Sequence, residues 1–323
     1  MPNPLVSIII PVYNRPLEFE RALHSAFAQD YPNIEIIVVD DGSVEDIKSV
    51  VDKNKEKSPF PLTYYRQENK GVGGARRRGL GLAKGKYIQH LDADEIILPI
   101  KISKQVSILE KNDDAVVCIC GNTSGLYPED LLELALNLNP YPTSSPLWNY
   151  PDNLKVDWLE LIGGQDVVHD VNIGMTHRKV VWLQEELVIR PPSPGSHTNQ
   201  TKKGAKRILR LRDNMQYPII MYEMIKDAGL IKEKKYSEQI SERLFRIAYQ
   251  FAMVGEGKSA RNLLSYSFRA TQTHLKRLEI IMAYLLQTLT FYKTPILYEG
   301  LFRFHRLINP KSLHGDKNIK PLI

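Results

Sequence analysis

Three acidic residues lie within four positions of the sequence, in the segment YIQHLDADE at residues 87–95. Asp92 and Asp94 are separated by one residue, so in an extended chain their carboxylates point to the same side and can converge. Like charges this close repel, and a divalent cation is the simplest partner that removes the repulsion. Oxygen ligands favour Mg²⁺ or Mn²⁺, and Mg²⁺ completes its shell with water and substrate phosphates. A lone D-x-D is also typical of solvated loops and helix N-caps, so the surrounding elements must decide.

The elements before and after these acids alternate between two patterns. VSIIIPVY, IEIIVVDD, LTYYRQ and KYIQHLD are short apolar runs, and EFERALHSAFAQ and VEDIKSVVDKNKEK have helical periodicity. This alternation predicts an α/β fold in which helices flank a mainly parallel central sheet. Asp40 and Asp41 end the second run, and open α/β sheets bind ligands at the carboxyl ends of their strands. We therefore expect both acid sets in one crevice.

The rest of the chain is less regular. NPYPTSSPLWNYPDN at 139–153 and RPPSPGSHTNQTKKG at 190–204 are rich in proline and small polar residues, which predicts two long loops. From Ser237 onward, apolar residues recur at helical spacing around a glycine-containing turn. This pattern predicts a C-terminal α-helical appendage.

Charge and cysteine content narrow the classes of protein. The formal net charge of +6 favours anionic partners such as nucleotides, acidic glycans or an anionic membrane surface. No apolar run approaches the roughly 18 residues typical of a bilayer span, and the N-terminus resembles a first strand more than a signal peptide. Cys118 and Cys120 would lie on one face of a strand, where burial is favoured over a disulfide or a metal. We expect a cytoplasmic chain in a reducing compartment.

The order of the motifs resembles family 2 glycosyltransferases of the GT-A fold. The resemblance rests on VSIIIPVYN, then IIVVDDGS, then ENKGVGGARRRGLGLAKGKYIQHLDADE, and it covers about the first third of the chain. Two positions depart from the family pattern: Arg77 stands where Asn is frequent, and Glu95 stands where Asp is frequent. The two outer acids, Asp92 and Asp94, are retained.

The resemblance implies donor-binding roles at the strand ends. It implies a nucleoside pocket lined by Pro11, Val12 and Tyr13, and a contact of Asp41 with the base. It also implies that Arg76 contacts the base or phosphates, that Asp92 contacts the ribose or metal, and that Asp94 contacts Mg²⁺ or Mn²⁺. Asp40 is explained at least as well by a turn that caps the next helix. At least one of the three consecutive arginines at 76–78 should be solvated, because successive helical residues point about 100° apart.

The activity implied by the resemblance is transfer of a sugar from a nucleotide diphosphate sugar, with UDP favoured, to a hydroxyl acceptor with inversion. An inverting reaction needs a carboxylate that takes the acceptor proton. Asp213, in front of an apolar helical segment, is the first candidate, with an N-cap as its alternative role. Asp166 and Asp170 are the alternatives, and the nearby His169, His177 and Arg178 could instead shape an acceptor pocket.

The predicted organisation is a GT-A domain at 1–235, with a nucleotide-sugar half at about 1–120 and an acceptor half at about 121–235, followed by a helical region at 236–323. We expect a glycan or lipid-linked acceptor, a part in cell-surface polysaccharide or glycoconjugate synthesis, and no nucleic-acid partner. Residues 296–310, with Phe302, Arg303, Phe304 and Arg306, are the expected contact with the cytoplasmic face of a membrane.

Other classes of function remain as alternatives. A sugar nucleotidyltransferase could use the same acids and a similar pocket, and a non-catalytic binding protein could use the fold alone. A dinucleotide-dependent oxidoreductase is disfavoured, because the first turn is PVYNRP and lacks the G-x-G-x-x-G pattern.

Overall fold

The computed structural model describes residues 3–121, 127–137, 141–150, 158–161, 163–192 and 215–289. The chain divides into two compact units: unit 1 comprises Met1–Leu132 and Tyr141–Asn199, and unit 2 comprises Glu133–Pro140 and Gln200–Ile323. The predicted domain boundary at residue 235 stays a prediction.

Unit 1 is built on a seven-stranded sheet. In chain order the strands of unit 1 are β1 (Val6–Val12), β2 (Ile34–Asp40), β3 (Leu62–Arg66), β4 (Tyr87–His90), β5 (Ile96–Ile97), β6 (Val117–Cys120), β7 (Pro146–Asn149), β8 (Val180–Leu183) and β9 (Val188–Ile189). The sheet order is β3-β2-β1-β4-β7-β6-β8, and β5 pairs with β9 in a separate ribbon. Only β7 runs antiparallel to its neighbours in the large sheet. The prediction of a mainly parallel sheet is confirmed.

Helices connect the parallel strands. They are α1 (Pro16–Phe27), α2 (Ile47–Lys55), α3 (Gly71–Leu82), α4 (Lys101–Leu109), α5 (Leu131–Leu136), which ends in unit 2, and α6 (Gln165–Gly174). All seven residues of β1 are buried, as expected for a parallel strand covered on both faces. Pro16 begins α1, where its missing N–H costs nothing, and the side chain of Asp46 accepts a hydrogen bond from the Ser49 N–H at the start of α2.

The prediction of a single long loop at 139–153 is wrong at its centre. Pro146–Asn149 form β7, which pairs with β4 on one side and β6 on the other. Proline is compatible with a strand at its first residue, and Pro146 holds that position. Leu147 and Trp148 are buried, so sheet pairing and burial overrode the local proline signal. The second predicted loop lies outside the described residues from 193 onward.

Unit 2 contains the predicted C-terminal helices. They are α7 (Gln216–Asp227), α8 (Lys234–Met253), α9 (Gly257–Ala270) and α10 (His274–Leu289). Helices α8 and α9 approach closely where Ser241 and Ser267 exchange side-chain to carbonyl hydrogen bonds of 2.9 and 2.8 Å. Among the described helices, none is both long and apolar enough to cross a membrane. Residues 296–310 lie outside the described part of the chain.

Candidate active site

The two acid sets meet at one edge of the sheet. Strand β1 lies between β2 and β4, and all three run parallel. At the end of β1, Val12 pairs with Asp40 and its carbonyl accepts a 2.8 Å bond from the Asp41 N–H. On the other side, the Leu91 N–H donates to the Ile9 carbonyl at 2.9 Å, so the chain leaves β4 at the same edge. The strand order reverses here, which is where open α/β sheets bind ligands.

Asp40 is a scaffold residue. Its side chain is fully buried, and it accepts hydrogen bonds from the Tyr64 hydroxyl at 2.7 Å and the Ser43 N–H at 2.9 Å. These bonds fix the turn after β2. The turn interpretation therefore accounts for Asp40.

The two carboxylate oxygens of Asp41 differ in their hydrogen bonds. Oδ1 accepts from the Gln67 side chain at 2.8 Å and from the Lys70 N–H at 2.9 Å, which holds the loop in front of α3. Within the described residues, no hydrogen bond is recorded for Oδ2. One oxygen thus positions the loop, and the other is available to a donor group of a ligand.

The residues after β1 have an unusual backbone. Pro11 and Val12 are buried and Tyr13 is 49% exposed. Asn14 and Arg15 then adopt left-handed conformations, with φ of 58° and 61°, which non-glycine residues rarely do.

Two arginines form ion pairs with the acids after β4. Arg76 of α3 donates from Nη2 to Asp92 Oδ1 at 2.5 Å, and Arg15 donates from Nη1 to Asp94 Oδ2 at 2.9 Å. The side chains of Asp92 and Asp94 remain 28% and 29% exposed, so both acids are accessible at the sheet edge. In the chain by itself, each acid is neutralised by an arginine from another element.

Negative charge still accumulates at this loop. Burial, followed by the charge of Asp92, raises the pKa of Asp94. Burial, again followed by Asp92, raises the pKa of Glu95 to about 7. Ser144 supports the loop, because its hydroxyl accepts a 3.1 Å bond from the Asp92 N–H. The sequence did not indicate Ser144, since it lies in the segment predicted as a loop.

The acids fit a metal that is shared with a substrate. Among the described residues, no group of three or more His, Cys, Asp or Glu side chains forms a metal cage. Asp92 and Asp94 offer two accessible carboxylates close enough to influence each other's charge. Mg²⁺ is typically bound by one or two carboxylates together with substrate phosphates, and this pair satisfies that requirement.

Arg76 is a buried cation that lies between Asp92 and the Trp158 ring. It is 2% exposed, and its guanidinium lies 4.7 Å from the centre of the Trp158 ring. Its Nε and Nη1 atoms have no hydrogen-bond partner among the described residues. Arg77 and Arg78 of the same helix are exposed, as predicted from the helical angle between successive residues. The tight environment of Arg76 fixes it beside Asp92.

The short segment at 158–161 packs on the start of α3. A Cβ at Gly73 would lie 2.2 Å from the Leu159 carbonyl oxygen, so only glycine permits this approach. Glu160 forms an ion pair with Arg77, and Trp158 stacks on His169 with ring centres 4.0 Å apart. The glycines before the arginine run are the sequence signal for this contact, although they do not identify its partner.

Asp166 is the base candidate that the fold brings to the acids. It lies in the first turn of α6 and is partly buried. Burial raises its pKa, and it is close enough to Arg76 and Asp92 for both of their charges to act on it, the arginine lowering the pKa and Asp92 raising it.

Asp170 belongs to an internal network instead. It is 3% exposed and contacts His169 Nδ1 at 2.9 Å and the Tyr141 hydroxyl at 2.7 Å. His169 Nε2 in turn contacts the Tyr150 hydroxyl at 2.5 Å. Asp213 lies outside the described residues. His177 and Arg178 contact Thr176 and Asp130 respectively.

Comparison with known sequences gives consistent family relationships. Residues 7–149 match the family model described as glycosyl transferase family 2. An uncharacterized glycosyltransferase of Rickettsia prowazekii is 43% identical over 120 residues, which is 37% of this chain and 36% of that protein. The Escherichia coli protein named UDP-Glc:alpha-D-GlcNAc-diphosphoundecaprenol beta-1,3-glucosyltransferase WfaP is 41% identical over 106 residues, 33% of this chain and 41% of its own length. The chain thus matches less than half the length of these relatives.

Comparison with solved structures extends over nearly the whole chain. TarS 1-349 of S. aureus in complex with UDP superposes with a TM-score of 0.68 at 18% identity, covering 93% of this chain and 92% of that one. The mannosyltransferase PcManGT from Pyrobaculum calidifontis, in complex with GDP-Man and Mn²⁺, gives 0.56 at 16% identity, covering 95% and 87%. Residues 7–149 thus match glycosyl transferase family 2 over less than half of the chain, and the fold is that of the GT-A glycosyltransferases.

Proposed function

We propose that this protein transfers a sugar from a nucleotide diphosphate sugar to a hydroxyl acceptor with inversion. The observation that carries the proposal is the convergence of Asp41, Asp92 and Asp94 at the sheet edge where the strand order reverses. Asp92 and Asp94, which are partly exposed and paired with arginines, suit a ligand that has both hydroxyl groups and a diphosphate. The match of residues 7–149 to glycosyl transferase family 2 and the GT-A fold support this class of activity.

A UDP-sugar is the favoured donor. Pro11, Val12 and Tyr13 lie at the end of β1 beside Asp41, whose Oδ2 can accept the uracil N–H. Asp92 is proposed to accept a ribose hydroxyl. Support for uridine comes from the name of the E. coli relative, which specifies UDP-Glc, and from the UDP and UDP-GlcNAc complexes of TarS.

Asp94, assisted by Asp92, would hold Mg²⁺ or Mn²⁺. A bound divalent ion neutralises the charge that develops on a departing diphosphate. Arg76 stabilises Asp92 beside it, and the loop carrying both acids is held through Ser144. The buried guanidinium also keeps a fixed positive charge near the position of the leaving group.

Among the described candidates we assign the general base to Asp166 in preference to Asp170, and Asp213, outside the described residues, remains the alternative. The carboxylate of Asp166 would take the proton of the acceptor hydroxyl as that oxygen attacks the sugar. A pKa raised by burial brings a carboxylate closer to the operating pH, which favours proton transfer. Asp170 is less suited because His169 and Tyr141 already occupy both of its oxygens.

The acceptor is proposed to be a glycan or a lipid-linked sugar on the cytoplasmic face of a membrane, in cell-surface polysaccharide or glycoconjugate synthesis. The acceptor in the name of the E. coli relative, a diphosphoundecaprenol, supports this class. Helix α10 exposes several large apolar side chains, which suits peripheral membrane contact. They are Leu275, Leu278, Ile281, Met282, Tyr284 and Leu285.

A donor screen tests the activity. The full chain would be incubated with UDP-glucose, UDP-GlcNAc, UDP-galactose and GDP-mannose, with and without Mn²⁺, and release of the nucleoside diphosphate would be measured. We expect Mn²⁺-dependent release of UDP from at least one UDP-sugar, with the exposed Asp113 changed to Asn as an active control. Formation of a nucleotide sugar from UTP and a sugar phosphate would identify a nucleotidyltransferase, and binding without release would identify a binding protein.

Liposome flotation tests the membrane contact. We expect the full chain to float with anionic vesicles at low salt and to detach at high salt. The double change Leu275→Ser and Leu278→Ser should weaken flotation if α10 makes the contact, and deletion of residues 296–323 should do so if that segment does. Flotation unaffected by both changes, or no flotation at low salt, would contradict the proposal.

A further inference from the structure

Arg15 occupies an oxygen of the proposed metal ligand. Its Nη1 lies 2.9 Å from Asp94 Oδ2, and both side chains are 29% exposed. A guanidinium is always charged in proteins, so it cannot vacate the acid by losing a proton. A divalent ion at Asp94 and the Arg15 guanidinium are therefore two cations with one carboxylate between them.

The backbone conformation that brings Arg15 beside Asp94 is strained. Two consecutive non-glycine residues, Asn14 and Arg15, have φ near 60°, and such left-handed conformations are strained for non-glycine residues. Hydrogen bonds of Asn14 to the turn after β2 hold them. The Asn14 N–H donates to Ser43 Oγ at 2.8 Å, and Asn14 Oδ1 accepts from the Val44 and Glu45 N–H groups at 2.9 and 3.3 Å.

The strained pair links the two strand ends. The loop after β2, which carries Asp41, fixes Asn14, and the next residue reaches the acid after β4. Strain of this kind persists where the surrounding structure over-determines it, and it concentrates at ligand-binding sites. A half-exposed ion pair is also easy to exchange, because such pairs contribute little net stability.

We propose that Arg15 is the built-in counter-ion of Asp94 in the donor-free protein and leaves Asp94 for the donor's diphosphate when the metal binds. Arginine pairs well with phosphate oxygens, so the diphosphate gives the released guanidinium a new partner. A metal that binds alone must displace Arg15 while the guanidinium gains no new partner. A metal that binds together with a diphosphate displaces Arg15 while the guanidinium gains phosphate oxygens as its new partner. Arg15 thus makes metal binding depend on the donor. The inference rests on the proposed metal role of Asp94.

A permanent structural role for Arg15 predicts the opposite sign. If Arg15 only held Asp94 in its binding rotamer, its removal would loosen the metal site and weaken metal binding. Under the exchange proposal, its removal frees Asp94 and strengthens metal binding in the absence of nucleotide. Loss of folding cannot produce a tighter site, so the sign of the change separates the two roles.

The experiment measures Mn²⁺ binding to the full chain by electron paramagnetic resonance of free Mn²⁺, first without nucleotide and then with saturating UDP. We expect Arg15→Gln to tighten Mn²⁺ binding without nucleotide by about two- to fivefold, the scale of a partly exposed ion pair. The factor by which UDP tightens Mn²⁺ binding should shrink by a similar amount, because coupling between two ligands is reciprocal. Arg21→Gln, a change of an exposed arginine in α1, the helix that follows Arg15, is the matched control and should behave like the wild type.

Each other outcome has a defined meaning. Unchanged or weaker Mn²⁺ binding by Arg15→Gln overturns the exchange proposal, and so does an unchanged effect of UDP. If neither the wild type nor Arg15→Gln binds Mn²⁺ without nucleotide, freeing Asp94 creates no site and the proposal also fails. Asp94→Asn separates this from the metal assignment: if Asp94→Asn binds Mn²⁺ as well as the wild type, the assignment of the metal to Asp94 is wrong.

Discussion

The ends of β2 and β4 each present adjacent acids at the same sheet edge, yet the acids have different partners. After β2, the hydrogen-bond donors are backbone N–H groups and neutral side chains, such as Ser43 and Tyr64 on Asp40, and the Arg66 guanidinium lies farther away, 3.9 Å from Asp40 Oδ2. After β4, they are guanidinium groups from other elements, Arg76 and Arg15. A buried carboxylate bound to the backbone of its own turn is part of the scaffold. A half-exposed carboxylate bound to an arginine can exchange that partner for a ligand.

This contrast separates residues that hold the site from residues that act in it. Substitutions of the acids that follow β4 should lower activity while the protein stays folded. Changes after β2 should lower stability or donor affinity while turnover persists. The following four predictions test the contrast, in order of decreasing effect on turnover.

Asp94→Asn should have the largest effect. We expect turnover to fall by about 10³-fold or more, because charge stabilisation of the leaving group is lost in the transition state. Circular dichroism and thermal unfolding should remain close to those of the wild type. Asp113→Asn is the matched control. Full activity of Asp94→Asn with unchanged Mn²⁺ dependence would contradict the proposed metal role of Asp94.

Asp166→Asn should lower turnover by about 10²-fold or more, with donor KM nearly unchanged. Burial raises the pKa of Asp166, so in the wild type the acidic limb of the kcat/KM profile should lie above the ordinary Asp value of about 3.9. Activity falls as the pH falls through this limb, because the base gains a proton. The limb should vanish in the variant.

The same measurement on Asp170→Asn and Asp213→Asn sharpens the assignment. We expect Asp170→Asn to lower thermal stability more than turnover, since it breaks contacts with His169 and Tyr141. A loss of turnover and of the acidic limb in Asp213→Asn, but not in Asp166→Asn, would transfer the base role to Asp213.

Asp41→Asn should raise the donor KM by about tenfold, with kcat within a factor of about three. Its Oδ1 can still accept from Gln67 and Lys70, but an amide nitrogen replaces the oxygen proposed to accept the base N–H. One lost hydrogen bond to a charged group is of this size. A comparison of UDP and free diphosphate as inhibitors locates the effect: UDP inhibition should weaken, and diphosphate inhibition should not.

Asp40→Ala should have the smallest effect on turnover and a clear effect on folding. We expect the free energy of unfolding to fall by about 2–3 kcal/mol, because the Ser43 N–H and Tyr64 hydroxyl lose their acceptor. Urea unfolding measures the change. Tyr64→Phe is the companion variant and should lose about 1 kcal/mol. A large rise in donor KM without loss of stability would place Asp40 in the binding site.

The sequence determined the elements and the position of the acids along them. The apolar runs that end at Asp40 and His90 have the composition of buried parallel strands, and strand direction alone brings their ends to one edge. Helical periodicity likewise indicated α8 and α9, because the pattern of a surface helix is local. The helical angle predicted that at least one of the arginines at 76–78 is solvated, and Arg77 and Arg78 are exposed.

Only the tertiary structure decided what each acid contacts. Arg15 and Asp94 are 79 positions apart, and Ser144 and Asp92 are 52 apart. No periodicity reports such pairs, because it describes a residue's neighbours along one element and not the partner that folding brings to it. Ser144 and β7 were missed for the same reason: prolines are a local turn signal, and pairing with β4 and β6 outweighed it. Asp166 came to the acids because α6 begins near Arg76, a placement set by packing between elements distant in the chain.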